Sequence, residues 1–209
     1  MYQRFVSTSD LPETPLLLTR SLVVSLSNVP LRFYHNNETV FASLAPALAN
    51  ITSFTGTTQA LGRLVQCIDG LRLRSAYLVD VTGSWRLPIL ETITPAIDTL
   101  SKLHIAYELG SSSLYAMSSS NVEYLIVDVL LGLLRIDGDF DIAQEAAYLT
   151  ASVPRLRCVL FRPRFQMEST AHCVSAQIIE WAELQRDPRV WIDDTFVPIP
   201  HNDDPHSLG

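Results

Sequence analysis

Apolar positions along this chain follow two alternating rhythms. Runs rich in β-branched and apolar residues at 22–26, 51–54, 71–81, 102–109 and 190–192 read as strands, and the segments between them repeat apolar residues at helical spacing. Val40, Phe41, Leu44 and Leu48 make one helical stripe, capped by Asn36 or Asn37 and shortened or kinked by Pro46. Leu61, Leu64, Val65 and Ile68 make a second, which Gly70 closes. Leu90, Ile93, Ile97 and Leu100 make a third, in which Pro95 predicts a break. Residues 121–164 then hold a strand, an acidic turn, a short helix and another strand, with Asp141 and Gln144 placed as a capping box for the helix of Ile142, Ala146 and Leu149. A final helix puts Ala171, Val174, Ile178 and Trp181 on one face and stops at Pro188.

A finer pattern returns at the strands. Ile68, Leu71 and Leu73 stand at offsets 0, 3 and 5, as do Leu100, Leu103 and Ile105, then Val122, Leu125 and Val127, then Val153, Leu156 and Cys158. That is the LxxLxL step of a leucine-rich repeat. The anchors at 68, 100, 122 and 153 are separated by 32, 22 and 31 residues, an irregular series against the usual repeat length of about 20–29. Each strand-helix unit exposes an apolar face that only a neighbouring unit can cover, so stacking would bury one continuous core. The expected fold is α/β, an irregular leucine-rich-repeat-like solenoid of mostly parallel strands. The same alternation would also produce a doubly wound open α/β sheet. Residues 1–17, with Pro12 and Pro15, read as an extended lead-in, 18–195 as a single repeat domain, and 196–209 as a flexible polar tail.

Composition narrows the class. With 209 residues, 47% of them hydrophobic and 18% charged, the chain is globular and able to bury a sizeable core. A formal charge of −7 repels phosphate backbones, so sequence-independent nucleic-acid binding is not expected. The longest apolar run, 125–134, is broken by Asp128 and is about half of what a membrane span requires. Nothing at the start resembles a secretory signal, which predicts a cytoplasmic or nuclear protein with no membrane partner. Cys67, Cys158 and Cys173, odd in number and widely spaced, then read as reduced, buried thiols.

The sequence resembles the leucine-rich-repeat region of the F-box-like proteins abundant in mushroom-forming fungi. The residues that carry the resemblance are the 100–105 step LSKLHI, the 155–164 strand RLRCVLFRPR and the closing helix and strand with their tryptophans, within roughly residues 18 to 195. It implies a non-catalytic protein-interaction module, the substrate-recognition part of an F-box-type ubiquitin ligase receptor. Two features depart from the group. Ala76, Glu108, Leu130 and Phe161 stand where regular repeats place Asn or Cys, and Leu11-Pro12-Glu13 imitates an F-box opening with no room after it for the adaptor-binding helices. Binding of the ligase adaptor is therefore not expected of this chain.

Candidate chemistry is sparse. Asp137, Asp139 and Asp141 alternate as hard-cation ligands do, but an EF-hand loop starting at Asp137 would need Gly and Glu where Ile142 and Tyr148 stand. A haloacid-dehalogenase-like phosphatase could use Asp137 and Asp139, with Asp193-Asp194 as its distal acidic pair. That competing reading lacks a downstream phosphate-binding lysine, since the only lysine is Lys102. Adjacent residues on a helix diverge by about 100°, so His172 and Cys173 do not form a base and nucleophile pair, and Cys173 reads as buried beside a surface histidine. No nucleotide-binding glycine motif occurs, and no metal or cofactor is expected. Residues between the anchors point away from the core of a strand, which selects Arg72, Arg74, His104, Ile126, Asp128, Arg157 and Val159, with Arg155, Arg162 and Arg164 at the edges of the last strand, as an arginine-bearing recognition surface for an acidic or phosphorylated peptide. The bland account of these arginines is that they solvate a sheet face and its edges. Trp85, in a loop after Gly83 and Ser84, is a candidate binding anchor, whereas Trp181 reads as core.

Overall fold

A computed structural model describes residues 20–24, 42, 44–46, 48–81, 87–108, 120–130, 142–164, 168–193 and 195. Seven strands, β1 (Ser21–Val23), β2 (Ser53–Gly56), β3 (Ser75–Val81), β4 (Lys102–Glu108), β5 (Tyr124–Leu130), β6 (Cys158–Arg164) and β7 (Val190–Ile192), form one parallel sheet in sequence order. Helices α1 (Thr58–Cys67), α2 (Leu87–Ile97), α3 (Ile142–Ser152) and α4 (Glu168–Gln185) fall between strands. Parallel crossovers are right-handed, and the order of the described strands never reverses, so the described helices between them pack on the same side of the sheet. Burial agrees: Phe54, Ala76, Leu78, Leu103, Ile105, Leu125, Val127, Val159 and Phe161 share one core with Leu61 and Leu64 of α1, Ile93 and Ile97 of α2, Ala146 of α3 and Ile178 of α4. Without a reversal there is no topological switch point among the described strands, the feature at which a doubly wound sheet binds its ligand.

The register redraws the repeat. Phe54, Ala76, Leu103, Leu125 and Val159 lie side by side, and each is preceded three residues earlier by a buried Ile51, Leu73, Leu100, Val122 or Leu156. The aligned anchors are thus 22, 27, 22 and 34 residues apart, closer to a regular repeat than the sequence pattern indicates. Two of the four sequence-derived sets are displaced: Ile68, Leu71 and Leu73 are buried, but they precede β3, and Cys158 is only half-buried because Val159 takes the core position. The small anchors conceal the step. At Gly56 a Cβ would lie 2.8 Å from the Phe54 ring, which excludes a larger residue there.

Each strand begins with the same hydrogen-bond device. The carbonyls of Arg20, Thr52, Arg74, Ser101 and Glu123 each accept two consecutive N–H groups from the next strand entry, at 2.7–3.1 Å. Side chains reinforce the steps, as Thr52 Oγ1 donates to Arg20 O, Ser101 Oγ to Arg74 O and Asn121 Nδ2 to Asp98 O. At the opposite end of the strands, Asp80 is buried where β3 shifts register and accepts from Thr58 N–H at 2.8 Å and from the Thr58 hydroxyl. Thr57 caps α1 through its own side chain, so two acceptors serve the first turn of this helix.

Several expected details change. The strand expected at 71–81 begins at Ser75, which leaves Arg72 and Arg74 before it. Pro95 lies inside α2 without a break; it stands in the last turn, where the lost N–H affects a single bond, and Asp98 N still donates to Thr94 O at 2.9 Å. Gly70 follows α1 in the left-handed region with φ 69°, as its closing role predicts. All three cysteines are free thiols, but Cys173 is exposed and Cys67 and Cys158 half-buried, because the repeat core takes the neighbouring positions. Trp181 packs partly buried against the core, and Leu44 and Leu48 do so from helical backbone. Val40, Phe41, the lead-in 1–17 and the tail 196–209 lie outside the described residues.

Asp80→Ala should destabilise the protein by about 2 kcal/mol, because it strips two acceptor contacts from buried donors. Urea unfolding monitored by circular dichroism checks this, with Asp80→Asn, which keeps one acceptor, falling between wild type and alanine.

Candidate functional site on the open sheet face

Strand residues of the other parity turn away from the helices. Three rows cross the sheet on this side. The first runs Ser53, Ser75, Lys102, Tyr124, Cys158; the second Thr55, Tyr77, His104, Ile126, Leu160, Trp191; the third includes Ala106, Asp128 and Arg162. Asp193 N donates to Phe161 O, which puts Asp193 next to Arg162 along the third row. Most of these side chains are half-buried or exposed, in contrast to the fully buried core side. Ser75 Oγ donates to Ser53 Oγ at 3.0 Å, and the Lys102 ammonium lies 5.8 Å from the centre of the Tyr124 ring.

The chemistry concentrates where the second and third rows meet. Arg162 donates from Nε to Asp128 Oδ1 at 2.7 Å and from Nη2 to Oδ2 at 2.9 Å, a bidentate pair across adjacent strands. His104 Nε2 is 2.7 Å from Asp128 Oδ2 and 2.8 Å from Arg162 Nη2. One nitrogen cannot donate to the carboxylate while accepting from the guanidinium. An ionised Asp128 accepts only, so Nε2 carries the hydrogen and donates to Oδ2, and the approach of Nη2 to Nε2 is a packing contact. The Tyr77 ring stacks on the His104 imidazole, with centroids 3.9 Å apart and planes 5° from parallel. Arg164 Nε stands 3.6 Å from Asp128 Oδ1.

Environment tunes these groups in opposite directions. Burial would raise the Asp128 carboxyl, but the hydrogen bonds from His104 and Arg162 and their charges outweigh it and hold the acid below its ordinary range. Burial likewise opposes the Arg162 charge, and Asp128 more than restores it. Tyr77 is pushed up by burial and by the nearby Asp128 charge, so its phenol stays protonated. Asp193 is lowered, first by its hydrogen bond from Thr195 and then by the Arg164 and Arg162 charges. The arrangement is a satisfied polar cluster with a flat aromatic surface beside it. No nucleophile stands within its hydrogen bonds, and no group of ligands able to hold a metal ion occurs among the described residues.

Of the residues selected from the sequence, the structure brings together His104, Asp128 and Arg162. It separates Arg72, Arg74 and Arg157, which are exposed at or before the strand entries. There the Arg74 carbonyl serves the hydrogen-bond ladder, and Arg157 Nε lies 3.4 Å from Glu123 Oε2. A single arginine row for phosphate is therefore not formed, and Arg162 has its fork occupied by Asp128. Trp85, Asp137, Asp139 and Asp141 lie outside the described residues. Tyr77 belongs to the cluster although sequence reasoning passed over it, and Arg164, expected at the edge of its strand, stands beside Asp128 as well. Aligning Ala76 rather than Leu71 with Leu103 would have placed Tyr77 beside His104.

The class defined is an α/β protein with one open, all-parallel, seven-stranded sheet whose order follows the sequence. No protein-family model matches this chain, and no curated protein matches it in sequence. Among the described residues no helix is long and apolar enough to cross a membrane.

Asp128→Ala should lower stability at pH 7 by about 2–3 kcal/mol, since it leaves a largely buried guanidinium without its partner. Because the folded carboxyl titrates below its unfolded value, its contribution is complete above the unfolded pKa and disappears as pH falls through the folded one. The urea midpoints of wild type and Asp128→Asn should accordingly converge below about pH 4.

Proposed function

We propose that this chain is a non-catalytic protein-interaction module, a short leucine-rich-repeat-like solenoid whose open sheet face receives a protein partner in the cytosol or nucleus. The observation that carries the reading is the one-sided winding: successive units bury one face and leave the rows of Tyr77, His104, Ile126, Asp128, Leu160 and Arg162 on the other. That mixture of aromatic, apolar and arginine side chains has the composition of interface hot spots. The partner reading shifts accordingly from a purely acidic peptide to an extended segment that lays apolar side chains on Tyr77, Ile126 and Leu160 and exchanges hydrogen bonds with the Asp128–Arg162 pair. The resemblance to F-box-like receptors supports a role in substrate recognition, with ligase recruitment left to another chain. A hydrolase using Asp137 and Asp139 is favoured by no observation, since the sequential strand order gives it no crevice.

Affinity purification of the tagged full chain from its native cells, after cross-linking, tests this. Tyr77→Ala combined with Leu160→Lys should reduce recovery of specific partners at least tenfold, as loss of a hot spot does. Arg72→Ala with Arg74→Ala and Arg157→Ala should leave recovery unchanged. Retention of every partner by a folded Tyr77 and Leu160 variant would remove the open face as the site.

A further inference from the structure

Among the described strands β7 has one neighbour, β6. Arg189 O accepts from Val159 N and Asp193 N donates to Phe161 O, so by alternation the carbonyls of Val190 and Ile192 and the Ile192 N–H are turned to the outer edge, while the Val190 N–H donates to Asp187 O at 3.3 Å. Beside that edge runs a groove of about 460 Å³, walled on one side by Ile179, Ala182 and Glu183 of α4 and by Arg186 just past its end, and on the other by β7. The three α4 positions follow helical spacing, so they form one stripe. Trp191, at the centre of β7, is 61% exposed, and Ile179 is exposed as well. An unpaired edge beside apolar surface is a site for strand addition.

We infer that this edge pairs with the same edge of a second copy, giving a two-fold dimer through β7 and α4. The patch is complementary to itself. In an antiparallel β7–β7 pair centred on Trp191, Val190 of each copy faces Ile192 of the other, and the Ile192 N–H of each donates to the Val190 carbonyl of the other while the Val190 N–H stays with Asp187 O of its own copy. The two Trp191 side chains then become directly opposed neighbours on the open face, the closest type of cross-strand pair. The same axis sets the two α4 helices side by side and antiparallel, where Glu183 of one copy meets Arg186 of the other, twice. Among the described residues neither has an ion-pair partner within its own copy, and both line the groove. Arg186 moreover holds φ at 51°, a conformation in which glycine would be less strained, so its side chain is retained at a conformational cost.

Sedimentation velocity of the full chain over a concentration series is the test. A dimer should form, and Trp191→Lys, which places two cations together at an exposed position, should weaken it at least tenfold with the circular dichroism spectrum unchanged. Glu183→Arg and Arg186→Glu should each weaken it, and the double exchange should restore it. A wild-type monomer up to about 100 μM would overturn the inference, as would a dimer indifferent to Trp191→Lys. A monomer in which Trp191, made the sole tryptophan by Trp85→Phe and Trp181→Phe, resists acrylamide quenching would also overturn it and assign the edge to another part of this chain. Because the readout is oligomeric state, its failure leaves partner recovery through Tyr77 and Leu160 unaffected.

Discussion

One carbonyl accepting two successive N–H groups, repeated at five strand entries, is the interaction on which the remaining architecture depends. The device fixes the distance and direction with which each unit meets the previous one, before any side chain is considered. Once the entries are locked at Thr52, Arg74, Ser101, Glu123 and Arg157, the residue two positions later points into the core, and the next alternate residue with it. Phe54, Ala76, Leu103, Leu125 and Val159 differ widely in size yet stand in one line, which main-chain bonding can impose and side-chain packing alone could not.

Parallel sheets are ordinarily covered on both faces, and their strands are then apolar throughout. Here only one face carries the described helices, and the other must be compatible with water or with a partner. The sequence answers with serines at the first row, aromatic and aliphatic residues at the second and charges at the third. Burying Asp128 on such a face would be unfavourable alone; a bidentate guanidinium and an imidazole N–H satisfy it from the two flanking strands. Because those donors come from β4 and β6, the cluster also ties three strands together. It is at once a stabilising network and the most distinctive surface feature of the face, so mutations within it, Tyr77 included, test stability and recognition together, whereas Leu160 lies outside its hydrogen bonds and separates the two.

Much of the architecture was legible from hydrophobic periodicity. Residues 102–109 and 190–192 match β4 and β7 closely because both are bounded by clear turn signals, and the parallel direction of the strands followed from a repeated strand-helix unit, while their order stayed open between a solenoid and a doubly wound sheet. The phase of the repeat was harder. Leu71 and Leu73 satisfy an LxxLxL template as well as Leu73, Ala76 and Leu78 do, and sequence cannot tell a buried approach to a strand from the strand itself. That five-residue displacement explains part of the mixed outcome at the site: His104 and Asp128 come from correctly phased strands, Arg72 and Arg74 come from the displaced approach to β3, and Tyr77 was hidden by it, whereas β6 was displaced by three residues and Arg162 stood out only as an edge residue. Asp80 gave no pattern at all, because its partner Thr58 is 22 residues away and the contact exists only after β3 and α1 are packed.

The same winding that creates the open face leaves the sheet with two ends, and the two ends are not alike. β1 and β7 are both three residues long, which limits the unpaired main chain at either edge. At β7, however, Asp187 and Arg189 form a tight pair, Arg189 Nη1 donates to Thr150 O at 2.9 Å, and the strand is thereby clamped to the body of the protein. A clamp of this kind prevents the edge strand from fraying, so its outward groups keep a fixed geometry. A rigid edge flanked by Trp191 and by the α4 stripe is suited to specific pairing, whereas a frayed one would invite indiscriminate association. The unit before this edge is the longest, 34 residues from Leu125 to Val159, and its added length brings in α3, whose Thr150 supplies the carbonyl that completes the clamp.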